Sequence, residues 1–136
     1  VFEGYIDRFA VTEAALLTHG LGPDPLFGVK VAKGGGRLVG MAVHHLVRWT
    51  YDLRPTLVLK ELYVAEEARG AGVGRLLMLA VAGEAVRLGA GRLSWLVLRG
   101  NDRAAAFYRG LGGVPDAVWE PWTLEAPAIV RLAEAI

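Results

Sequence analysis

Apolar residues along this chain fall into runs whose length and period separate strands from helices. Thr12-Glu13-Ala14-Ala15-Leu16-Leu17 sets a capping Thr before an apolar run of helical type, and Gly20-Leu21-Gly22-Pro23-Asp24-Pro25 ends it as a loop. Phe27–Ala32 and Arg37–Trp49 flank Gly34-Gly35-Gly36, a pattern that predicts a β-hairpin. Asp52-Leu53-Arg54-Pro55 then turns the chain into a further strand over Thr56–Val64. From Gly72 to Leu88 the only charges are Arg75, Glu84 and Arg87, which predicts a helix buried on most sides against the sheet. Another strand is expected over Arg92–Leu98, followed by a short helix that begins near Asn101 and closes on a glycine. Val114–Leu124 reads as strand interrupted by Pro115 and Pro121, and Ala126–Ile136 as a short helix. No internal repeat or low-complexity linker breaks the pattern, so residues 1–136 are expected to form one domain.

Composition narrows the classes. The chain has 136 residues, 54% of them hydrophobic, which suffices for one sizeable core. The 15 Lys and Arg nearly balance the 14 Asp and Glu, with no basic run, so neither nucleic acid nor an anionic membrane surface is an expected partner. Glu84 and Arg87 interrupt the longest apolar span too soon for a membrane crossing, and no signal-peptide pattern opens the chain. The absence of Cys excludes a disulfide framework, a thiol nucleophile and a thiolate metal site, and is compatible with a reducing cytoplasm. His44 and His45 are neighbours on a strand and point to opposite faces, so they cannot pair on a metal, and no metal is expected.

The candidate chemistry sits where the strand Leu57–Val64 runs into Arg69-Gly70-Ala71-Gly72-Val73-Gly74 and then the helical Arg75-Leu76-Leu77-Met78. Glycines on alternate positions at a helix N-terminus leave backbone N–H groups bare of side chains, and the helix dipole adds partial positive charge, which together describe an anion site. A dinucleotide fingerprint would need a third Gly where Arg75 stands and an acid near Leu98-Arg99. A Walker loop would need Lys and Ser/Thr where Arg75-Leu76-Leu77 stands. Both are excluded.

The remaining pattern, Arg-x-x-Gly-x-Gly over Arg69–Gly74, resembles the acetyl-CoA pyrophosphate loop of the GCN5-related N-acetyltransferases. Downstream, Asn101-Asp102-Arg103-Ala104-Ala105-Ala106-Phe107-Tyr108-Arg109-Gly110-Leu111-Gly112 is similar to the second cofactor-side element of the same family. The resemblance runs from about Thr12 to Leu124 and is strongest to the diamine branch, which includes spermidine/spermine and thialysine acetyltransferases. It implies an α/β (α+β) fold: a mixed, mostly antiparallel central sheet flanked by helices, with acetyl-CoA wedged between two splayed strands ending at Val64 and Leu98. Family members begin with another strand and a longer first helix, whereas this chain opens at Val1-Phe2-Glu3-Gly4-Tyr5, so the first strand and part of the first helix are expected to be lacking.

Site roles follow from the resemblance, residue by residue. Arg69, Gly70, Ala71, Gly72, Val73, Gly74 and Arg75 would hold the pyrophosphate. Leu62, Tyr63 and Val64 would pair their backbone with the pantetheine amides. Tyr108 would protonate the leaving thiolate, with Phe107 filling the core position beside it; the bland alternative is a Phe-Tyr packing pair. Asn101 would bind the pantetheine arm, cap the following helix, or both. Glu61 is the first candidate for the base, with Asp52 and Glu120 as outer candidates, and Glu120 and Trp122 would line the amine pocket. Amine attack on a thioester needs positioning, proton acceptance and oxyanion stabilisation, but no covalent enzyme intermediate.

The implied activity is acetyl-CoA-dependent N-acetyl transfer to a primary amine of a small molecule, amino acid or diamine-like, by a cytoplasmic enzyme expected to be a homodimer. A protein N-terminus or lysine is the alternative acceptor, and a non-catalytic acyl-CoA-binding module the alternative class. One departure stands out: where the diamine branch carries two consecutive acids, this chain has Lys60-Glu61, which would disfavour polyamines if Lys60 faces the amine pocket.

Overall fold

The computed structural model describes residues 22–23, 25–48 and 53–135. The expected helix at Thr12–Leu17, the chain's opening, Trp49 and Asp52 lie outside the described residues. Strand β1, Gly28–Gly34, and strand β2, Arg37–Val47, form the expected hairpin around Gly35-Gly36. Strand β3, Thr56–Val64, matches the sequence expectation residue for residue and pairs antiparallel with β2. Helix α1, Val73–Arg87, is the crossover that a parallel pairing requires, and strand β4, Arg92–Ser94, lies parallel to β3. The order β1-β2-β3-β4 is the mixed, mostly antiparallel sheet anticipated from the resemblance. Helix α2 covers Asp102–Gly110 and helix α3 Ala126–Ala133. The chain divides into two compact units, one up to Ala105 and one from Ala106 on, and α2 runs across the division.

In the first unit, α1 covers one face of the sheet. Its Leu77, Met78, Val81 and Ala85 are buried, as are Ala42 on β2 and Leu57, Leu59, Leu62 and Val64 on β3. Close approach is set at Gly40 of β2, where a Cβ would lie 3.0 Å from both Leu77 Cδ1 and Val73 Cγ1. A side chain there would push the first turns of α1 off the sheet. Lys30 on β1 ties the far end of the helix by donating to Glu84 at 3.2 Å, and Arg87 Nε donates to the same carboxylate at 3.1 Å. The paired Arg87 guanidinium, more than the Lys30 ammonium, holds the Glu84 carboxyl down at about 2. Buried His44 packs its ring against Gly28 across the hairpin, a packing role, and burial pushes its pKa below the ordinary 6.5.

Three expectations need correction. Helix α1 is buried along one stripe only; Leu76, Leu79 and Val86 are exposed, because the 3.6-residue period presents a single face to a single sheet however apolar the rest of the helix is. Strand β4 ends at Ser94 instead of Leu98. In the second unit, Val114–Leu124 forms no strand: Pro115 and Pro121 remove ladder donors, and Asp116 Oδ1 instead accepts from the N–H groups of Val118 and Trp119, each at 2.8 Å. The expected last helix is present as α3 but stops at Ala133.

Candidate active site

The site is assembled where β3 runs on beyond its parallel partner while still paired to β2. Its ladder to β4 consists of Thr56↔Arg92, Leu57↔Leu93 and Val58↔Ser94 and stops there, although β3 continues to Val64. It is along this stretch of β3, past the end of its ladder to β4, that the family resemblance implied a splay between the parallel strands. Immediately beyond it, the β2–β3 register shifts between His44↔Leu59 and Val43↔Glu61, which makes Lys60 the extra residue of a β-bulge. Burial records the slip: Leu57 and Leu59 are buried before it, Leu62 and Val64 after it, while Lys60 is exposed and Glu61 half-buried. Tyr63 shares the outer face and is exposed.

From Val64 the chain bends through one 3-10 turn, Glu66–Ala68, held by Ala65 N–H donating to Val39 O at 2.8 Å and Ala68 N–H donating to Ala65 O at 2.9 Å. Arg69 then folds back, its Nε donating to Val64 O at 3.0 Å. The side chain thus clamps the loop to the end of β3, a contact that glycine spacing does not encode. Gly70 and Gly72 both take φ +83, and nothing lies within 4 Å of where a Cβ would stand on either. Gly72 is the N-cap of α1 and offers no side-chain cap; the first turn carries no acidic residue. The first bond into the helix runs from Leu76 N–H to Gly72 O at 3.0 Å, so the N–H groups of Val73, Gly74 and Arg75 precede it at the positive end of the dipole. Bare N–H groups, open space over the glycines and exposed Arg69 and Arg75 suit a pyrophosphate.

Asn101 is half-buried, and its Oδ1 accepts from Ala104 N–H at 3.1 Å, so it is the N-cap of α2. In the second unit Tyr108 is buried and meets Phe107 edge-on, ring centroids 5.2 Å apart. The expected division of labour is reversed: Phe107 is only half-buried, and Tyr108 takes the buried position because it lies one helical turn after buried Ala104 on the same face of α2. Gly112, at φ +94, ends α2 as the glycine pattern predicted. Glu120 and Trp122 are exposed, in the segment without strand. Among the described residues, no group of three or more His, Asp or Glu is placed to hold a metal, and no helix is long and apolar enough to cross a membrane.

Comparison with known proteins places the whole chain. Residues 2–112 fit the model of the Acetyltransferase (GNAT) family. The chain belongs to that family. It is 29% identical over 143 aligned residues to the thialysine N-epsilon-acetyltransferase of Sus scrofa, covering 97% of this chain and 84% of the relative. Against the L-ornithine N5-acetyltransferase NATA1 of Arabidopsis thaliana it is 38% identical over 66 residues, covering 48% of this chain and 28% of the relative. An integron cassette protein from the mobile metagenome of V. cholerae has the same fold, with a TM-score of 0.79, 25% identity and coverage of 96% of this chain and 83% of that one. The chain is therefore an acetyltransferase of the GNAT type, with the fold of its relatives.

Proposed function

We propose that this acetyltransferase moves the acetyl group of acetyl-CoA directly to a primary amine of a small molecule, either an amino acid side chain or a diamine-like compound. The observation that carries the reading is the uncapped N-terminus of α1 at Gly72, set at the end of a strand whose parallel ladder has already stopped at Val58. When bound, acetyl-CoA supplies an already activated thioester, so the chain's own residues need only bind, orient and move protons. The N–H groups of Val73, Gly74 and Arg75, with Arg69, Gly70, Ala71 and Gly72 shaping the loop, hold the pyrophosphate. The backbone of Leu62, Tyr63 and Val64 aligns the pantetheine arm as an added strand, and Asn101 fixes the start of α2 beside it. Glu61, half-buried on the bulge, accepts the amine proton directly or through water, and the Tyr108 hydroxyl returns a proton to the leaving thiolate.

The acceptor class is supported by the names of two relatives, one for thialysine and one for L-ornithine. A cytoplasmic location and a homodimer are part of the reading; the exposed Leu76, Leu79 and Val86 on α1 support the dimer, which light scattering in solution tests. A thiol-release assay with acetyl-CoA and a panel of amines tests the activity. Turnover with small primary amines sustains it, and no release with any amine refutes it in favour of a non-catalytic acyl-CoA-binding module.

A further inference from the structure

The bulge in β3 does more than shift a register. In an unbroken strand, side chains at 60 and 61 would point to opposite faces, and one of the two charges would enter the core under α1. The register shift makes Lys60 and Glu61 jointly oppose Val43, so both stand on the face away from α1, one exposed and one half-buried. The ion pairs Lys30–Glu84 and Arg87–Glu84 lie on the other side, under and along α1. A cation and a carboxylate are therefore presented side by side at the point where β3 leaves β4.

Resting on the acetyl-transfer reading, we propose that Lys60 is a specificity-determining residue that recognises a carboxylate on the acceptor, selecting amino acids with a side-chain amine over diamines of the same length. The dimensions agree. Strand rise of about 3.3 Å per residue sets Lys60 about 7 Å from Leu62, where the segment assigned to the pantetheine arm begins. The side-chain amine and carboxylate of ornithine or lysine are separated by a chain of bonds of about 1.5 Å each, spanning roughly 6–7 Å. An amine held at Glu61 for reaction thus sets the acceptor's far end within reach of the flexible Lys60 stem. A carboxylate there meets an opposite charge, whereas the distal ammonium of a diamine meets a like one. Because Lys60 is exposed, salt screens the discrimination, which belongs to binding of a non-reacting group and so to KM more than kcat.

The test uses two matched pairs that differ only by the carboxylate: L-ornithine against putrescine, and L-lysine against cadaverine. Thiol release is followed in wild type, Lys60→Met and Lys60→Glu. At low ionic strength the amino acid of each pair should lead in kcat/KM by about tenfold or more, mainly through KM, the equivalent of about 1.4 kcal/mol. The lead should shrink with added salt, vanish in Lys60→Met and reverse in Lys60→Glu. Diamines equal to or better than the amino acids in wild type overturn the proposal, as does a preference unchanged in both variants. Absence of release with all four amines overturns this assignment, and only absence across the wider amine panel overturns the small-amine reading on which it rests, so the two failures are distinguishable.

Discussion

Replacing Gly72 by Val separates two properties of the loop that the fold brings together. Gly72 sits at φ +83, where a β-branched residue is a steric outlier, yet a Cβ there would have nothing within 4 Å. In the free protein the cost is therefore backbone strain alone, about 1–2 kcal/mol, or roughly a 4–8 °C fall in Tm for a domain of this size. The bound state is a different matter, because on the proposed reading the open space over Gly72 is where a pyrophosphate would approach the N–H groups of the first turn of α1. CoA at about a hundred times its Kd should stabilise wild type by about 2.7 kcal/mol, on the order of 10 °C in a thermal melt. Gly72→Val should lose nearly all of that shift. Gly89 supplies the control, since it follows the other end of α1 at φ +70 and also has open space around it. Gly89→Val should lower the melt of the free protein similarly and keep the full CoA shift. The reasoning is refuted if wild type does not respond to CoA, if Gly72→Val responds fully, or if Gly89→Val loses the response as well.

Tyr108→Phe should retain the CoA-induced shift in Tm and lose roughly ten- to a thousandfold in turnover; equal turnover would leave Tyr108 a packing partner of Phe107 only. Asn101→Ala removes the acceptor for Ala104 N–H and should cost about 1 kcal/mol in a urea melt, with Asn101→Asp recovering most of it. The Glu84 carboxyl titrates at about 2 in the fold against an ordinary 4.5, so the unfolded chain takes up the proton first. Its contribution should be complete above about pH 5 and decline between pH 4.5 and 2. Wild type and Glu84→Gln should therefore differ in urea midpoint at pH 7 and converge towards pH 3.

Hairpin, β3 and crossover helix were legible because each rests on a local rule: glycines between apolar runs, a continuous β-rich stretch, a capless helix start after alternate glycines. The misreadings arose where a partner, not the segment, decides. Trp95–Leu98 is as apolar as the strand it continues, but the ladder to β3 ends at Val58↔Ser94, and nothing in either segment encodes the divergence. Val114–Leu124 carries strand-like residues, yet its two prolines and the turn at Asp116 favour irregular backbone. Burial of Tyr108 follows from its four-residue spacing to buried Ala104, a signal that the neighbouring Phe107 masks. The bulge leaves a clear trace: inward leucines at 57 and 59 give way to inward Leu62 and Val64, an odd step that no regular strand allows. Val58 and Tyr63 blur it by being apolar on the outer face. A pleated strand can carry two adjacent charges on one face only by such a slip, so Lys60-Glu61 inside an otherwise apolar strand already demanded an irregularity at that point. The local break in pattern and the proposed acceptor site coincide because one backbone distortion produces both.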